Sequence, residues 1–352
     1  MDTEQRKHLT ETVARLYQTG SGDAGARWRQ AGQLGLLGVT AGGAGAPDPG
    51  TERGLDAAGV ICEGRGHCGE FGGYAETVGA VFGLTAAGDA AATLLSAVAD
   101  QGWQLVPLYR SRSADQSHER PYCAASGTPA GTVVDKRAPA TVALWHDCAT
   151  GAIHWADAAA VTTATPVATT SRLPESQLRL RDAAEQSATT WADPRGCQVW
   201  TNIGLAVDTL RCAEIVGAAR WLQQDALAYA NRRVQFGRPI AEFQAVAHQL
   251  AMQLSWVEAS ELLVRRALAA IETGAGGREA ARAGAFVRDR AWHCLFASYH
   301  ILGGTGFIEE TPVNRYCRGI LGVLSLLGPV QEIELRSAAY VEPGTWLSGA
   351  AA

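Results

Sequence analysis

Apolar residues recur at helical spacing through the C-terminal half of the chain. A spacing of three and four places residues on one face of an α-helix. Three such stripes occur, and they comprise Cys212, Ile215, Ala219, Leu222, Ala226 and Tyr229; Leu250, Leu254, Val257, Val264, Leu268 and Ile271; and Ala285, Arg288, Trp292, Leu295, Tyr299 and Leu302. Pro239 and the run 274–277 separate the three helices, and Pro329 favours a fourth over 330–341. These patterns predict a four-helix bundle.

The N-terminal half contains two other patterns. Residues 1–103 favour helices, with stretches at 4–17, 28–37, 55–63 and 75–99. From 104 the pattern changes to short β-branched and aromatic runs separated by turn residues, which predict antiparallel strands. These runs are Thr132–Val134, Thr141–Trp145, Ile153–Trp155 and Val161–Thr163.

Pro166 and Pro174 interrupt the segment 165–175, which therefore predicts an extended connection or an edge strand. The order of patterns predicts a mainly α fold with a small β-domain. We predict an N-terminal helical domain over 1–103, a short antiparallel β-domain over 104–175 and a C-terminal helical bundle over 176–352.

Composition narrows the class of protein. The 352 residues are 47% hydrophobic and 18% charged, which is typical of a folded globular chain. The net charge is −5 without a lysine or arginine block, which argues against nucleic acid as a partner. No apolar run reaches about 18 residues, so we expect no membrane span. The eight cysteines form no CxxC pair and have no zinc spacing, so we expect reduced thiols, no metal site and a cytoplasmic location.

Two motifs carry a specific resemblance. Tyr229–Ile240 has the sequence Tyr-Ala-Asn-Arg-Arg-Val-Gln-Phe-Gly-Arg-Pro-Ile, and Phe243–Ala251 follows as Phe-Gln-Ala-Val-Ala-His-Gln-Leu-Ala. Leu302–Arg315 contains Gly-Gly-Thr-Gly-Phe, and Arg318 follows it. These blocks resemble the Arg-x-x-Phe-Gly and Gly-Gly-x-Gly-Phe motifs of the acyl-CoA dehydrogenase family, in the family order. Trp28–Leu37 and the short Glu-Gly-Arg motif that begins at Glu63 are similar to further family segments.

The resemblance implies a site for FAD, which in this family is bound mainly by a neighbouring subunit. Arg233 would contact the pyrophosphate as a fork of donors. The other implied contacts are Gln235, Phe236, Gly237, Gln244, His300, Gly303 and Gly304. His300 stands where many relatives have Gln, and the glycines would let backbone approach the nucleotide. Alternatively, Gly303 and Gly304 only form a helix C-terminal turn, and Arg233 only pairs with a surface carboxylate.

The residues that would carry the family's chemistry depart from its pattern. The reaction requires a carboxylate near the acidic α-proton of an acyl thioester. In most members this Glu precedes a Gly, nine residues after the arginine that matches Arg318, and here the position holds Leu327. The alternative position, on the helix before the Arg-x-x-Phe-Gly turn, matches Arg211, which stays protonated. A shift of one helical turn would offer Glu214 instead. The catalytic base is therefore unknown.

Other family segments are also altered. Two segments that family members usually carry are missing between residues 100 and 165, namely Thr-Glu-Pro-x-x-Gly-Ser-Asp and Trp-Ile-Thr. The family's Pro-Glu-x-x-Gly-Gly loop is reduced here to residues 41–45. Two aromatic pairs lie in the predicted β-domain, Trp145 with His146 and His154 with Trp155. They either line a pocket or pack together in the core of the domain. The run Gly64–Phe71 holds Arg, His, Cys and Glu, and is either a new acid–base or nucleophilic site or an irregular loop.

Three hypotheses follow from the resemblance. The first is a base-lacking subunit of a heteromeric FAD-dependent acyl-CoA dehydrogenase, which lends its motifs to the partner's flavin. The second is an enzyme of specialised metabolism, repurposed from this fold, that catalyses a different and even flavin-independent reaction. The third is an ordinary dehydrogenase that uses Glu214 as its base. In each case the ligand is an acyl thioester of CoA or of a carrier protein, and we expect a homo- or hetero-oligomer.

Overall fold

The computed structural model describes residues 1–18, 23–41, 54–110, 122, 128–134, 138–167, 175–182 and 184–327. The helices are α1 (Thr3–Gln18), α2 (Ala24–Gln33), α3 (Leu55–His67), α4 (Tyr74–Leu84), α5 (Asp89–Gln101), α6 (Ala158–Val161), α7 (Gly196–Arg232), α8 (Gln244–Glu272), α9 (Gly277–Leu302) and α10 (Pro312–Leu326). The strands are β1 (Gln104–Pro107), β2 (Tyr109–Arg110), β3 (Pro129–Val134), β4 (Thr141–His146), β5 (Ile153–Asp157), β6 (Thr162–Val167), β7 (Glu175–Leu180), β8 (Thr189–Trp191), β9 (Val234–Gln235) and β10 (Arg238–Pro239).

Helix α7 is the central element of the structure. It packs against α3, α4, α8, α9 and α10. Most of its residues from Ile203 to Ala219 are buried, which is typical of a helix surrounded by other elements. The described part confirms the predicted four-helix bundle, although α10 is its fourth helix and the predicted helix at 330–341 lies outside the described residues.

Helices α3 and α7 approach each other at backbone distance. A Cβ atom added to Gly217 would collide with the carbonyl oxygen of Glu63, and one added to Gly66 would collide with the carbonyl oxygen of Glu214. Glycine is therefore required at both positions, because any side chain would push the two helices apart.

A buried ion pair lies beside this contact. Arg65 and Glu214 are 1% and 0% exposed, and their Nε and Oε1 atoms are 3.7 Å apart. The guanidinium also donates to the hydroxyl of Tyr17 at 2.7 Å and lies over the rings of Tyr17 and Tyr74. The backbone N–H of Gly72 donates to Glu214 Oε2 at 3.3 Å. This pair thus connects α1, α3, α7 and the α3–α4 turn.

The β-region consists of two four-stranded sheets. The first has the order β1-β4-β5-β8, and the second has the order β2-β3-β7-β6. All strand pairs in these sheets are antiparallel except β1 with β4, which corrects the prediction of a purely antiparallel domain. The strands extend to Trp191 rather than ending at residue 175. Pro166 lies on the edge strand β6, as predicted, while Pro174 lies outside the described residues.

Several predicted helical positions are corrected by the structure. The helix predicted over 28–37 begins earlier, at Ala24, where Asp23 accepts a hydrogen bond from Ala26 as its N-cap. The helix predicted over 75–99 is divided into α4 and α5 around Gly88, which has a φ of 55°. Leu254 and Trp292 are 44% and 40% exposed, so they do not belong to the apolar seams.

The described cysteines are free thiols, and most of them are buried. The described residues contain no group of His, Cys, Asp and Glu that could hold a metal ion. Among the same residues, no helix has both the length and the hydrophobicity needed to cross a membrane.

The contact between α3 and α7 yields the first prediction. Replacing Gly217 with Ala should lower the free energy of unfolding by about 3 kcal/mol or more, because the added Cβ overlaps the backbone of α3. The measurement is urea unfolding followed by circular dichroism. Gly304→Ala is the control, because its Cβ would meet nothing within 4 Å and should change stability by less than about 0.5 kcal/mol. Equal stability of the two variants would contradict the close contact.

Candidate functional site

The segment after α7 forms a short hairpin with an exposed aromatic tip. Val234 and Gln235 of β9 pair with β10, and the turn between the strands consists of Phe236 and Gly237. Phe236 has a φ of 52°, the sole positive value of a non-glycine residue in the described part, and Gly237 has a φ of 80°. A positive φ strains a residue that carries a side chain. Phe236 is also 94% exposed, so burial of its ring does not offset this strain.

The polar groups around this hairpin point away from the fold. Arg233 caps the C-terminus of α7, and in the described structure its guanidinium makes neither an ion pair nor a hydrogen bond. Gln244, the first residue of α8, is also exposed. Arg238 lies 4.3 Å from the ring of Phe243, so it is held by a cation–π contact while Arg233 is not.

The glycine motif at the end of α9 is equally open. Gly303 has a φ of 58°, and a Cβ added to it or to Gly304 would meet nothing within 4 Å. The positive φ of Gly303 favours glycine at this position. The space beside both glycines is open, so no neighbouring atom excludes a side chain there. The amide of Asn314 donates to the carbonyl oxygens of Gly306 and Ile308 at 3.0 and 2.6 Å and so fixes the turn.

The two motifs lie at the same end of the bundle. Helices α8 and α9 pack against each other, and Gln249 near the start of α8 lies 3.4 Å from Nδ1 of His300 near the end of α9. Phe307, which follows the glycines, is 72% exposed and stacks on Tyr299 at 4.9 Å. This end of the molecule therefore presents an unpaired cation, side-chain amides, aromatic rings and open backbone. Such groups bind an anionic, aromatic ligand.

Leu327 lies where the resemblance places the catalytic carboxylate. It is 3% exposed and directly follows α10. Nη1 of Arg211 donates to the carbonyl oxygen of the preceding residue, Leu326, at 3.1 Å. The two positions that the resemblance assigns to a base are thus neighbours, and neither holds a group that accepts a proton. The residues after Leu327 lie outside the described part of the chain.

Arg211 is held in a buried polar cluster. Its Nε and Nη2 donate to Oε1 of Glu76 at 2.9 and 2.8 Å, and its Nη1 donates to Asp208 at 3.1 Å. The hydroxyl of Tyr122 donates to the other oxygen of Asp208 at 2.8 Å. The carboxylates raise the pKa of Arg211, although burial opposes this shift. Sequence reasoning missed Glu76 and Asp208, because neither belongs to the matched motifs.

Aromatic rings adjoin this cluster. Tyr109 lies 5.8 Å from Tyr122 and 5.3 Å from Trp200 between ring centroids, and His146 stacks on Trp200 at 5.9 Å. A Cβ added to Gly204 would collide with the ring of Tyr122. On the opposite face of the sheet, Trp145 stacks on His154 at 5.4 Å, and both are buried. These rings form core contacts in the described structure.

The run Gly64–Phe71 is not an irregular loop throughout, because its first four residues belong to α3. Arg65 pairs with Glu214, and Glu70 pairs with Arg27 at 2.6 Å. Burial raises the pKa of Cys68 to about 11, so its thiol stays protonated at neutral pH and is a poor nucleophile. The structure does not gather this run into one reactive site, although His67 and Cys68 line a separate cleft.

Known proteins resemble part of this chain in sequence and all of it in fold. Residues 205–339 match the acyl-CoA dehydrogenase C-terminal domain. Over 107 residues the chain is 36% identical to an acyl-CoA dehydrogenase of Bacillus subtilis (strain 168) and 35% identical to the short-chain specific acyl-CoA dehydrogenase of Megasphaera elsdenii. Each match covers 30% of this chain and 28% of the relative. The chain therefore spans, in matched sequence, well under half of these relatives.

Solved structures resemble the fold of the whole chain. A variant of the Tcur3481–Tcur3483 steroid ACAD superposes with a TM-score of 0.79 at 22% identity and covers 99% of both chains. The ChsE4–ChsE5 complex from Mycobacterium tuberculosis gives 0.75 at 20% identity, with 97% of this chain and 99% of that chain covered. The prolyl acyl carrier protein oxidase AnaB gives 0.76 at 14% identity, with 97% and 100% covered. The fold is that of the acyl-CoA dehydrogenases. The C-terminal part of the chain thus resembles the acyl-CoA dehydrogenase C-terminal domain in sequence, and the whole chain shares the acyl-CoA dehydrogenase fold.

The burial of Glu214 yields the second prediction, which bears on whether this residue is a base. Replacing Glu214 with Gln should lower the free energy of unfolding by about 3 kcal/mol, because Arg65 would remain buried without a counter-charge. Urea unfolding measures this loss. Glu258→Gln is the control, since Glu258 pairs with Arg220 at the surface and should contribute less than about 1 kcal/mol. A Glu214→Gln variant as stable as the control would refute the structural role.

Proposed function

We propose that this chain is a base-lacking subunit of a heteromeric, FAD-dependent acyl-CoA dehydrogenase. In this assembly it binds the pyrophosphate and adenosine portions of a flavin whose ring is held by a partner chain of the same fold. When bound, FAD supplies the hydride acceptor, and the partner supplies the carboxylate base. The proposal depends on a contrast between two regions. The motif surface, which consists of Arg233, Gln235, Phe236, Gln244, Gly303 and Gly304, is exposed, whereas Leu327 at the base position is buried.

The surface around Arg233 fits a phosphate-containing cofactor. Its guanidinium has no counter-ion in the described structure and can donate to two pyrophosphate oxygens. Gly303 and Gly304 leave room for backbone N–H groups to approach the same ligand. Gln235, Gln244 and His300 would add single hydrogen bonds, and the strained, exposed Phe236 would pack against the cofactor or the partner.

The region around Leu327 does not support proton abstraction by this chain. Leu327 has no proton-accepting group, and the neighbouring Arg211 is fully engaged by Glu76, Asp208 and the Leu326 carbonyl. Glu214 is fully buried against Arg65, so a substrate has no access to its carboxylate. These contacts argue against the hypothesis of an ordinary dehydrogenase that uses Glu214.

Two of the structures with a similar fold are named for pairs of chains. The Tcur3481–Tcur3483 protein is described as a steroid ACAD, and ChsE4–ChsE5 is described as a complex. By analogy, we propose that this chain pairs with a second acyl-CoA dehydrogenase-like chain, and that the substrate is an acyl thioester. CoA is the favoured carrier in this proposal.

A repurposed enzyme is the second candidate, and one observation favours it. Glu76 is 4% exposed, and its Oε2 accepts no hydrogen bond within the described structure. A buried carboxylate oxygen without a partner is costly unless it has a role. In this candidate enzyme Glu76 would be the relocated acid or base, and its contact with Arg211 would have to open to admit the substrate. The fold of the carrier-protein oxidase AnaB is compatible with such an enzyme acting on a carrier-bound acyl group.

The third prediction tests the proposed subunit role. The chain expressed alone should lose added FAD on desalting, whereas the chain co-expressed with an acyl-CoA dehydrogenase-like partner should retain flavin absorbance near that of a stoichiometric complex. Arg233→Ala should reduce the retained flavin at least about tenfold, because one charge-assisted pyrophosphate contact is lost. Arg232→Ala is the matched control, since this neighbouring arginine is exposed and is assigned no cofactor contact.

The outcomes separate the two candidates. Retention of flavin by the chain alone, with bleaching on addition of an acyl thioester, would overturn the subunit role and favour the repurposed enzyme. Loss of that bleaching in Glu76→Gln, with flavin retained, would then identify Glu76 as its acid or base. Equal flavin retention by Arg233→Ala and Arg232→Ala complexes would overturn the assignment of the motif surface.

A further inference from the structure

Two helical segments of the bundle lack charged side chains although many of their residues are exposed. Residues 243–257, at the start of α8, contain no Asp, Glu, Lys or Arg, and neither do residues 291–302, at the end of α9. The whole chain is 18% charged, so both segments depart from its average. The solvent-facing side of a helix is normally charged or polar. These segments therefore differ from helices whose outer side meets only water.

The two segments lie side by side on the outside of the bundle. Gln249 of α8 lies 3.4 Å from His300 of α9, and the ring of Trp256 contacts that of His293 with 5.2 Å between centroids. The two helices are therefore antiparallel and in contact along the uncharged part of each. The outward residues of the two segments thus form one continuous surface, the α8–α9 face.

Large apolar side chains project from the α8–α9 face. Phe296 is 67% exposed and Met252 is 49% exposed. Trp292 stacks on Phe296 with 5.8 Å between ring centroids. The cores of protein interfaces are enriched in aromatic residues and methionine and depleted of charge, and a contiguous apolar patch marks an interaction site. Because these side chains extend outward from two helices, the face fits a protein surface better than a small ligand, which binds in a concave site.

The two halves of the α8–α9 face have complementary shapes. On α8, the small residues Ala251, Ser255 and Ala259 recur every four residues and so lie along one side of the helix. On α9, Trp292 and Phe296 project, and the register of the two helices brings them level with these small residues. A two-fold axis parallel to the helices would place the α9 half of one copy on the α8 half of the other. The rings would then pack over small side chains, so the face is complementary to itself.

The size of the α8–α9 face is sufficient for a specific dimer. The uncharged part of α8 is about 21 Å long, and two adjacent helices are about 22 Å wide, so the flat area is about 450 Å2 on each chain. Projecting side chains make the accessible area larger than the flat area. Two copies would therefore bury about 1,000 Å2 in total, which is the lower range for a specific interface.

We propose that the α8–α9 face binds the same face of a second copy of this chain. In this dimer Trp292 and Phe296 of each copy pack on Ala251 and Ser255 of the other. The dimer is a property of the chain alone, so it does not depend on the proposed subunit role. If that role also holds, the complete complex contains two copies of this chain.

The test is sedimentation velocity of the full chain, expressed alone, over a series of concentrations. The wild type should be a dimer that dissociates on dilution. Phe296→Glu should raise the dissociation constant of the dimer at least about a hundredfold, because a carboxylate from each copy would be buried in an apolar contact. Leu34→Glu is the control, since Leu34 is 43% exposed at the end of α2, which packs against α1 and α5. This control should change the dissociation constant by less than about twofold.

Ala251→Leu distinguishes a closely packed contact from unspecific apolar association. The larger side chain would hold the opposing rings away from α8 and should raise the dissociation constant about tenfold. Unspecific association would instead become stronger, because the variant exposes more apolar surface. Ala269→Leu is the matched control, since Ala269 is an exposed alanine of the same helix that lies beyond the uncharged segment. Circular dichroism should show the same helix content for all four variants and the wild type.

Three results would overturn the proposal. The first is a wild type that stays monomeric at its highest soluble concentration, and the second is a dimer whose dissociation constant does not change in Phe296→Glu. The third is a chain that is monomeric alone but binds an acyl-CoA dehydrogenase-like partner only when Phe296 is intact, which would assign the face to that partner. Should Phe296→Glu fail to fold, Ala251→Leu decides. Flavin is not a readout of these experiments, so their result is separate from that of the Arg233→Ala test.

Discussion

The backbone contact between α3 and α7 is the constraint on which the rest of the structure depends. Gly66 and Gly217 permit it, and the buried pair of Arg65 and Glu214 connects the two helices beside it. A buried pair contributes little net stability against an apolar replacement, but the loss of one partner is costly. Substitution of any one of these four residues is therefore expected to destabilise the fold. Because α7 is fixed at this contact, its other residues occupy defined places along one rigid helix.

The middle and the end of α7 meet different physical requirements. At the middle, Arg211 donates to the carbonyl of Leu326, and Arg288 of α9 donates to the carbonyl of Leu324 at 2.8 Å. Two guanidiniums thus cap the C-terminus of α10, where positive charge is favourable. At the end, Arg233 faces solvent without a partner in the described structure. One arginine is used for folding, and the other is left available for a ligand.

The sequence predicted those parts of the fold whose signal is local. Helices α7 to α9 follow from apolar spacing, strands β4 and β5 follow from β-branched and aromatic runs, and the motif surface follows from its resemblance. Leu254 and Trp292 were assigned to the seams incorrectly, because spacing cannot distinguish a core face from an exposed apolar one. Strands β7 and β8 were missed, because polar residues predominate in both sequences and only pairing with neighbouring strands defines them. The contact of Glu76 with Arg211 joins residues 135 positions apart, and no periodic pattern encodes such a pair.

The separation of the two regions explains how, under the proposed function, a chain with this fold would keep a surface for flavin without keeping a catalytic base. Contact with a cofactor phosphate requires only exposed donors and open glycines at the ends of α7 and α9, and it is insensitive to the residue at 327. Proton abstraction requires a carboxylate that is both unpaired and next to the substrate. A carboxylate introduced at Leu327 would lie beside Arg211, whose guanidinium already donates to the preceding carbonyl. Part of its charge would be neutralised by that cation, which weakens it as a base. The arginine that stabilises the end of α10 is therefore itself an obstacle to proton abstraction at position 327, and under the proposed function the exposed motif surface is what this chain contributes to a site shared with another chain.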